Sequence, residues 1–155
     1  MSVYNPVIFK DFNLTPRAKK AYKDAFNISK EIGHNNVNNL HVLYGCIKNN
    51  SPQLKDLFLN NGIDLSSDDI LNALCCAESE NNEMFFCNEN SDPWHKDVVH
   101  AVHEANKISN GLEQYYVGIE HIILGIVDIS PQIFKNILDF ELFKNSLTKF
   151  INKEL

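Results

Sequence analysis

Hydrophobic residues recur at a helical period over most of the chain. In the first such segment the apolar positions advance by three and four residues, which places them on one buried face of a helix. They are Ala18, Ala21, Tyr22, Ala25, Ile28 and Ile32. Thr15 is a favourable N-cap, and Pro16 suits the first helical position because its missing N–H would be unpaired there anyway. Since Gly33 is a natural C-terminal stop, the pattern predicts a first helix between Thr15 and Gly33.

Seven further apolar segments have the same helical spacing, and no segment alternates convincingly as a strand would. Their ranges are 40–47, 54–58, 70–74, 98–108, 119–127, 133–138 and 143–151. For the fifth helix we expect Ser91 or Asp92 to be the N-cap and Pro93 to lie in the first turn. The chain is therefore predicted to be all-α, with about eight helices.

The second half of the chain repeats the first. At a separation of 80 residues the identical pairs are Val37/Val117, His41/His121 and Gly45/Gly125. The apolar stripe of the fifth helix instead matches that of the first helix at a separation of 76, so we expect about four residues within 110–114 to lengthen the following loop. A duplication of this length largely determines the architecture. The prediction is a single domain at residues 1–155, in which repeats of four helices at 12–74 and 91–155 are joined by a linker at 75–90.

The predicted linker is acidic, with four Glu and no basic residue, yet it contains Met84-Phe85-Phe86. We expect these apolar residues to pack back onto a repeat. The alternative is a flexible acidic joint with an exposed apolar patch, because exposed apolar atoms are common. Cys75 and Cys76 are adjacent, a spacing that matches no common zinc site, so no metal is predicted.

The net charge of −6 excludes some classes of partner. No basic stripe of the kind that phosphate backbones require is present, so nucleic acid is not expected to bind. No run of about 18 apolar residues occurs, and the N-terminus lacks the pattern of a secretion signal, so we expect no membrane partner and a location in the cytoplasm or an organelle matrix. There is no Gly-x-x-x-x-Gly-Lys-Ser/Thr loop, so neither ATP chemistry by that route nor any cofactor is predicted.

Motifs in both halves resemble the repeat of the Clp N-terminal domain. The first half contains Thr15-Pro16-Arg17-Ala18-Lys19-Lys20, then Gly33-His34-Asn35-Asn36-Val37 and Leu40-His41-Val42-Leu43-Tyr44-Gly45. The second half contains Tyr116-Val117-Gly118-Ile119-Glu120-His121-Ile122-Ile123-Leu124-Gly125. The match covers about residues 12–155. The resemblance implies two four-helix repeats related by pseudo-two-fold symmetry.

The resemblance also implies a function. In the Clp AAA+ unfoldases this domain precedes the ATPase rings, is not catalytic, and binds substrates and adaptor proteins. We therefore expect a non-catalytic protein-interaction module without catalytic residues, whose partners are protein substrates or adaptor proteins. The alternative hypothesis is a free-standing regulator that binds Clp unfoldase or protease subunits.

Some members of this family recognise phosphorylated arginine in paired pockets. The resemblance implies that the first copy retains Thr15 and Arg17, where a helix N-terminus and an arginine favour phosphate. It implies that the second copy retains Gly118 and Glu120, whose carboxylate suits a guanidinium. These four residues are the candidate peptide-binding residues.

On this view each copy has an incomplete pocket. Leu40 takes the place of the glutamate in the first copy, and Ile119 and Pro93 take the places of threonine and arginine in the second. We therefore expect the first copy to prefer anions and the second to prefer cations. Phosphoarginine is disfavoured, because the loss of one member of a charge-assisted pair leaves the other charge unpaired.

The histidines raise two possibilities. His41 and His121 occupy the same position in both copies, which favours a structural role in which the ring is hydrogen-bonded to the backbone at the turn between helices. A cluster of His95, His100, His103 and Glu104 could bind a transition metal. That would make the chain a small metal-dependent enzyme, a weaker alternative than solvated surface histidines.

Trp94 is the single tryptophan of the chain and aligns with Ala18 at the separation of 76. A large ring would there replace a small residue at the start of an apolar stripe. We expect it to pack in the core near the lengthened loop, and the alternative is an exposed contact residue, since tryptophan is enriched at binding hot spots.

Overall fold

The computed structural model describes residue 4 and residues 9–34, 36–60, 62, 66–80, 93–134 and 140–152. Within these residues the chain forms seven α-helices. They are α1 (Pro16–Glu31), α2 (Asn39–Lys48), α3 (Pro52–Asn60), α4 (Ser67–Glu80), α5 (Lys96–Gly111), α6 (Ile119–Ile129) and α7 (Phe140–Ile151). A short 3₁₀ helix, Pro131–Phe134, lies at the start of the segment predicted as the seventh helix. Because the described residues contain no strand longer than a single-residue bridge, the predicted all-α class is confirmed.

The core of the protein is built on two closely packed helix pairs. In each repeat the first helix packs against the second, α1 against α2 and α5 against α6, and α2 and α6 contact each other between them. A Cβ atom added at Gly45 would overlap the carbonyl oxygen of Ala21, and one added at Gly125 would overlap that of Ala101. The shared glycine therefore allows the two helices of each pair to approach at backbone distance.

The two repeats are joined by crossed backbone pairing. The segment before α1 pairs with the segment before α6, through a parallel bridge between Leu14 and Val117. The segment before α5 pairs in the same way with the segment before α2, through Val37 and Trp94. The first pairing has N–H···O distances of 3.0 and 2.8 Å, and the second has distances of 2.6 and 2.8 Å. Each repeat thus depends on the other for the backbone hydrogen bonds at its helix starts.

The structure corrects the predicted alignment of the repeats. The N-caps Thr15 and His95 are equivalent, and so are the N-caps Asn38 and Gly118, so the separation is 80 residues from the first helix to the second. The predicted separation of 76 for the first helix and the loop lengthened by four residues are wrong. A shift of four residues is close to one helical turn of 3.6 residues. For that reason the apolar stripe of α5 matches α1 almost equally well in either register.

The predicted start of the fifth helix is corrected for the same reason. His95 is the N-cap of α5, and its Nδ1 accepts a hydrogen bond from the N–H of Asp97 at 3.1 Å. Pro93 precedes the helix and contributes its carbonyl to the bridge with Val37. Ser91 and Asp92 lie outside the described residues.

The predicted linker is described only at its start. Helix α4 continues to Glu80, six residues into the range 75–90. Met84-Phe85-Phe86 lie outside the described residues, so their packing and the boundary between the repeats stay predictions. None of the helices in the described part of the chain has the length and apolar character of a membrane span.

Trp94 lies in the core, as expected, with 6% of its surface exposed. Its ring packs against Phe9 at 5.1 Å, Phe26 at 6.0 Å and Tyr22 at 6.2 Å between ring centroids. In the corrected register its equivalent is Leu14, and not Ala18. Trp94 therefore packs beside the crossed pairing at the start of α5, far in sequence from the loop that was expected to be lengthened.

Replacing Gly45 by Ala should lower the free energy of unfolding by about 1–3 kcal/mol, because the new methyl group would force α1 and α2 apart. Gly125→Ala should have a similar effect on α5 and α6. Urea unfolding followed by circular dichroism measures both. The matched control is Gly111→Ala at the end of α5, where a Cβ atom meets nothing within 4 Å. An equal effect of Gly45→Ala and Gly111→Ala would contradict the close approach of the helices.

Candidate functional site

The four candidate binding residues meet in a single cleft of about 360 Å³. We call it the composite cleft; the residues that line it are Thr15, Pro16, Arg17, Ser51, Gly118, Ile119 and Glu120. The first three precede or begin α1, whereas the last three belong to the start of α6. The bridge between Leu14 and Val117 brings these two helix starts together. The cleft is therefore made by both repeats.

This arrangement corrects the assignment of the residues to two pockets. The sequence hypothesis placed Thr15 and Arg17 in the pocket of the first copy and Gly118 and Glu120 in that of the second. Because the pairing between repeats is crossed, the first helix of one repeat faces the second helix of the other. The expected contrast between an anion-binding copy and a cation-binding copy therefore rested on a wrong premise, since both charges line one cleft.

Thr15 and Arg17 are positioned by local hydrogen bonds. The hydroxyl of Thr15 accepts from the N–H of Ala18 at 3.2 Å, which caps α1 as predicted. The guanidinium of Arg17 donates from Nη1 to the carbonyl of Asn50 at 3.1 Å and to that of Asn49 at 3.4 Å. These carbonyls follow the C-terminus of α2, where a cation is favoured by the helix dipole. The Arg17 head group is thus held at the cleft with donors remaining for a ligand.

Glu120 is held over the backbone of Gly118. A Cβ atom at position 118 would lie 2.6 Å from Oε1 of Glu120, so the carboxylate can fold back only because residue 118 is glycine. The Glu120 side chain is 19% exposed, and Oε1 lies 3.7 Å from Nδ1 of His121. Burial raises the pKa of Glu120 above its usual value. A cation that entered the cleft would offset that effect by stabilising the charged form.

A second cleft of about 370 Å³ adjoins the first and shares Ser51 and Glu120 with it. Its other lining residues are Gln114, Tyr116, Phe150 and Ile151. Sequence reasoning missed Ser51, Tyr116 and Phe150 as neighbours of Glu120. Tyr116 lies within the quoted motif, but Ser51 and Phe150 come from the starts and ends of other helices, and only the folded chain brings them to this wall.

The pseudo-symmetric counterpart of the composite cleft lacks its charges. Asp97 takes the position of Arg17 and Leu40 that of Glu120, while His95 and Asn38 replace Thr15 and Gly118. Leu40 is buried, and the Oδ1 atom of Asn38 accepts from the N–H of Leu40 at 2.8 Å. The counterpart therefore presents neither an arginine nor a carboxylate at the positions that matter in the composite cleft.

His41 and His121 have the predicted structural role. Nδ1 of His41 accepts from the N–H of Asn38, and Nδ1 of His121 accepts from the N–H of Gly118, both at 3.0 Å. Each Nε2 reaches the preceding loop: that of His41 lies 3.0 Å from Nδ1 of His34, and that of His121 donates to Oε1 of Gln114. Each ring thus connects the start of a second helix to the loop before it. Burial lowers the pKa of His41 to about 3 and that of His121 to about 4.

The residues of the metal hypothesis are not brought together. His95 caps α5, His100 is exposed, and the ring of His103 packs edge-on against Phe12 at 5.0 Å. Among the described residues no group of three His, Cys, Asp or Glu side chains has the geometry of a metal site.

Comparisons with known proteins agree with this geometry. The family model described as the Clp repeat (R) N-terminal domain matches residues 13–140. The N-terminal domain of ClpD from Arabidopsis thaliana has a similar fold, with a TM-score of 0.68 and 19% identity over 90% of this chain and 94% of that one. The Hsp104 N-terminal domain from Candida albicans gives a TM-score of 0.68 and 19% identity over 89% and 91%.

A third similar structure is a complex of the ClpV N-domain with a VipB peptide, at a TM-score of 0.59 and 18% identity over 99% of this chain and 94% of that one. At these identities the likeness concerns the fold. A comparison with curated proteins finds no match.

The two buried histidines should make the protein sensitive to acid. Their folded pKa values of about 3 and about 4 lie below the value of about 6.5 in an unfolded chain. Below pH about 6.5 the unfolded state therefore binds more protons, and the free energy of unfolding should fall as the pH decreases. The slope should approach about 1.4 kcal/mol per pH unit for each histidine. Urea unfolding between pH 7.5 and 5.5 measures it.

His121→Asn should remove about half of this slope, whereas His100→Asn at an exposed position should leave it unchanged. Glu120 contributes with the opposite sign, because its raised pKa makes the folded state gain stability as the pH falls through that pKa. Its contribution can be removed by measuring both histidine variants in a Glu120→Gln background. A slope that is insensitive to His121→Asn would contradict the assigned burial.

Proposed function

Because this chain belongs to the Clp repeat N-terminal domain family, we propose that it is a non-catalytic module that binds protein substrates or adaptor proteins. The proposed docking point is the composite cleft. The observation that supports it is the presence of Arg17 and Glu120 on the walls of one cleft. One protein of the same fold, the ClpV N-domain, has been seen in complex with a peptide.

The chemistry of the cleft suits a peptide group with two opposite charges. Glu120 offers a carboxylate to a guanidinium or ammonium group, and a charge-assisted bond in a half-buried site is stronger than one in open water. Arg17 offers guanidinium N–H groups to an anion. Phosphoarginine carries both charges on one side chain and is therefore the ligand that we propose to test first.

One feature reduces the match to the phosphoarginine pocket implied by the family resemblance. Ile119 occupies the position of the threonine in the family motif, so one hydroxyl is replaced by a buried apolar side chain. We expect this change to weaken binding of a phosphate group without removing it, because Arg17 and Glu120 carry the two charged contacts.

Glu120→Gln should raise the dissociation constant of a phosphoarginine peptide by about 10- to 100-fold, which corresponds to the loss of one charge-assisted hydrogen bond of about 1.5–3 kcal/mol. Arg17→Gln should weaken binding of the phosphorylated peptide but have less effect on the same peptide with unmodified arginine. Isothermal titration calorimetry of both peptides measures these changes.

The matched control is Asp97→Asn, which removes one negative charge at the pseudo-symmetric position of Arg17. It should leave the affinity unchanged. If Asp97→Asn weakened binding as much as Glu120→Gln, the ligand would respond to net charge and not to the composite cleft. Failure of both peptides to bind the unmodified protein would contradict the proposed ligand.

A further inference from the structure

A larger groove of about 920 Å³ runs along α1 and the segment that precedes it. Its described lining has an apolar part formed by Tyr4, Phe9, Phe12, Leu14 and Pro16. Its rim has four lysines and one acidic residue, which are Lys10, Lys19, Lys20, Lys23 and Asp24. We call it the lysine groove. It meets the composite cleft at Pro16, but Arg17 and Glu120 do not line it.

The floor of the lysine groove is anchored to the core. Phe9 is buried and stacks on Tyr22 at 4.1 Å between ring centroids. Phe12 is partly exposed and packs edge-on against His103. A floor of fixed aromatic rings offers apolar contact area to a ligand without a large loss of side-chain entropy.

The rim of the groove concentrates positive charge in an acidic protein. The chain has 14 basic residues and a net charge of −6, yet four lysines surround this one groove. All four are exposed, and within the described residues none of them has a carboxylate at ion-pair distance. The single acidic residue of the rim, Asp24, instead accepts a hydrogen bond from the amide of Asn49 at 2.8 Å.

The charge of the rim does not follow from the duplication. In the register of 80 residues the counterparts of Lys19, Lys20 and Lys23 are Val99, His100 and His103. The apolar stripe of α1 is kept in α5, whereas this charge is not. A positively charged rim around an apolar floor is therefore a property of the first repeat alone.

We propose that the lysine groove is a second docking surface, which binds an acidic amphipathic segment of a partner protein. Apolar side chains of the segment lie on Phe9, Phe12 and Leu14, and its carboxylates lie opposite the lysines. The charge complementarity of the rim selects this partner over a neutral or basic one. The proposal does not rest on the composite cleft, so the two surfaces are tested separately.

The probe is a synthetic peptide of about 14 residues with leucines at helical spacing and glutamates between them. Trp94 is a built-in reporter, because it is the only tryptophan and its ring contacts Phe9 and Tyr4, which line the groove. Binding should change the Trp94 emission and be measurable by calorimetry. It should weaken as salt is raised, since exposed charges are screened.

The double substitution Lys20→Gln/Lys23→Gln should raise the dissociation constant of this peptide about three- to tenfold at low salt. The matched control is Lys55→Gln/Lys149→Gln, which changes the net charge equally at exposed positions on α3 and α7. The control should leave the affinity within about twofold of the unmodified protein. A peptide in which lysine replaces every glutamate should not bind.

Equal effects of the two double substitutions would overturn the proposal. Loss of binding in Glu120→Gln but not in Lys20→Gln/Lys23→Gln would also overturn it, because the peptide would then occupy the composite cleft, and the proposed function would stand. Vesicles that contain phosphatidylserine are the remaining comparison. If they bind through the same lysines and the peptide does not, the groove recognises an anionic lipid surface, and the proposed protein partner is wrong.

Discussion

The crossed pairing of the backbone between the two repeats is the constraint on which the rest of the structure depends. Two short parallel bridges, Leu14 with Val117 and Val37 with Trp94, satisfy N–H and C=O groups that flank the starts of four helices. A buried backbone group without a partner is costly. Neither repeat can satisfy these groups alone, so the two repeats have to fold as one unit.

The same pairing decides where ligand-binding chemistry can occur. It places the start of α1 beside the start of α6, so Arg17 and Glu120 share a cleft although they are more than 100 residues apart in the chain. The counterpart pair, Asp97 and Leu40, has the same backbone setting and different chemistry. A pseudo-symmetric scaffold has thus kept one charged cleft of two possible ones, and a lysine-rimmed groove beside it.

The buried histidines show how the repeats keep a local mechanism while they change its partners. His41 and His121 both accept a backbone N–H three residues earlier, but one ring faces His34 and the other faces Gln114. The backbone contact requires only the histidine at the third position of the helix. The second contact depends on which polar side chain the preceding loop supplies, so it differs between the repeats.

The sequence by itself determined the helices, the duplication and the identity of the charged residues. Helical periodicity and the caps at Thr15 and Gly33 are local, because they depend on residues within one or two turns, and the prediction of an all-α protein followed from them. The capping role of His41 and His121 could also be predicted, since a residue repeated at equivalent helix starts indicates a shared local function.

Only the tertiary structure decided the register of the repeats and the pairing of the site residues. A stripe of apolar positions repeats after about one turn, so α5 could be aligned with α1 at 76 or 80 residues until the bridges fixed the second. Arg17 and Glu120 belong to one cleft because of a contact between segments that are distant in sequence. Periodicity reports which face of a helix is buried, but it contains no information about which other helix covers that face.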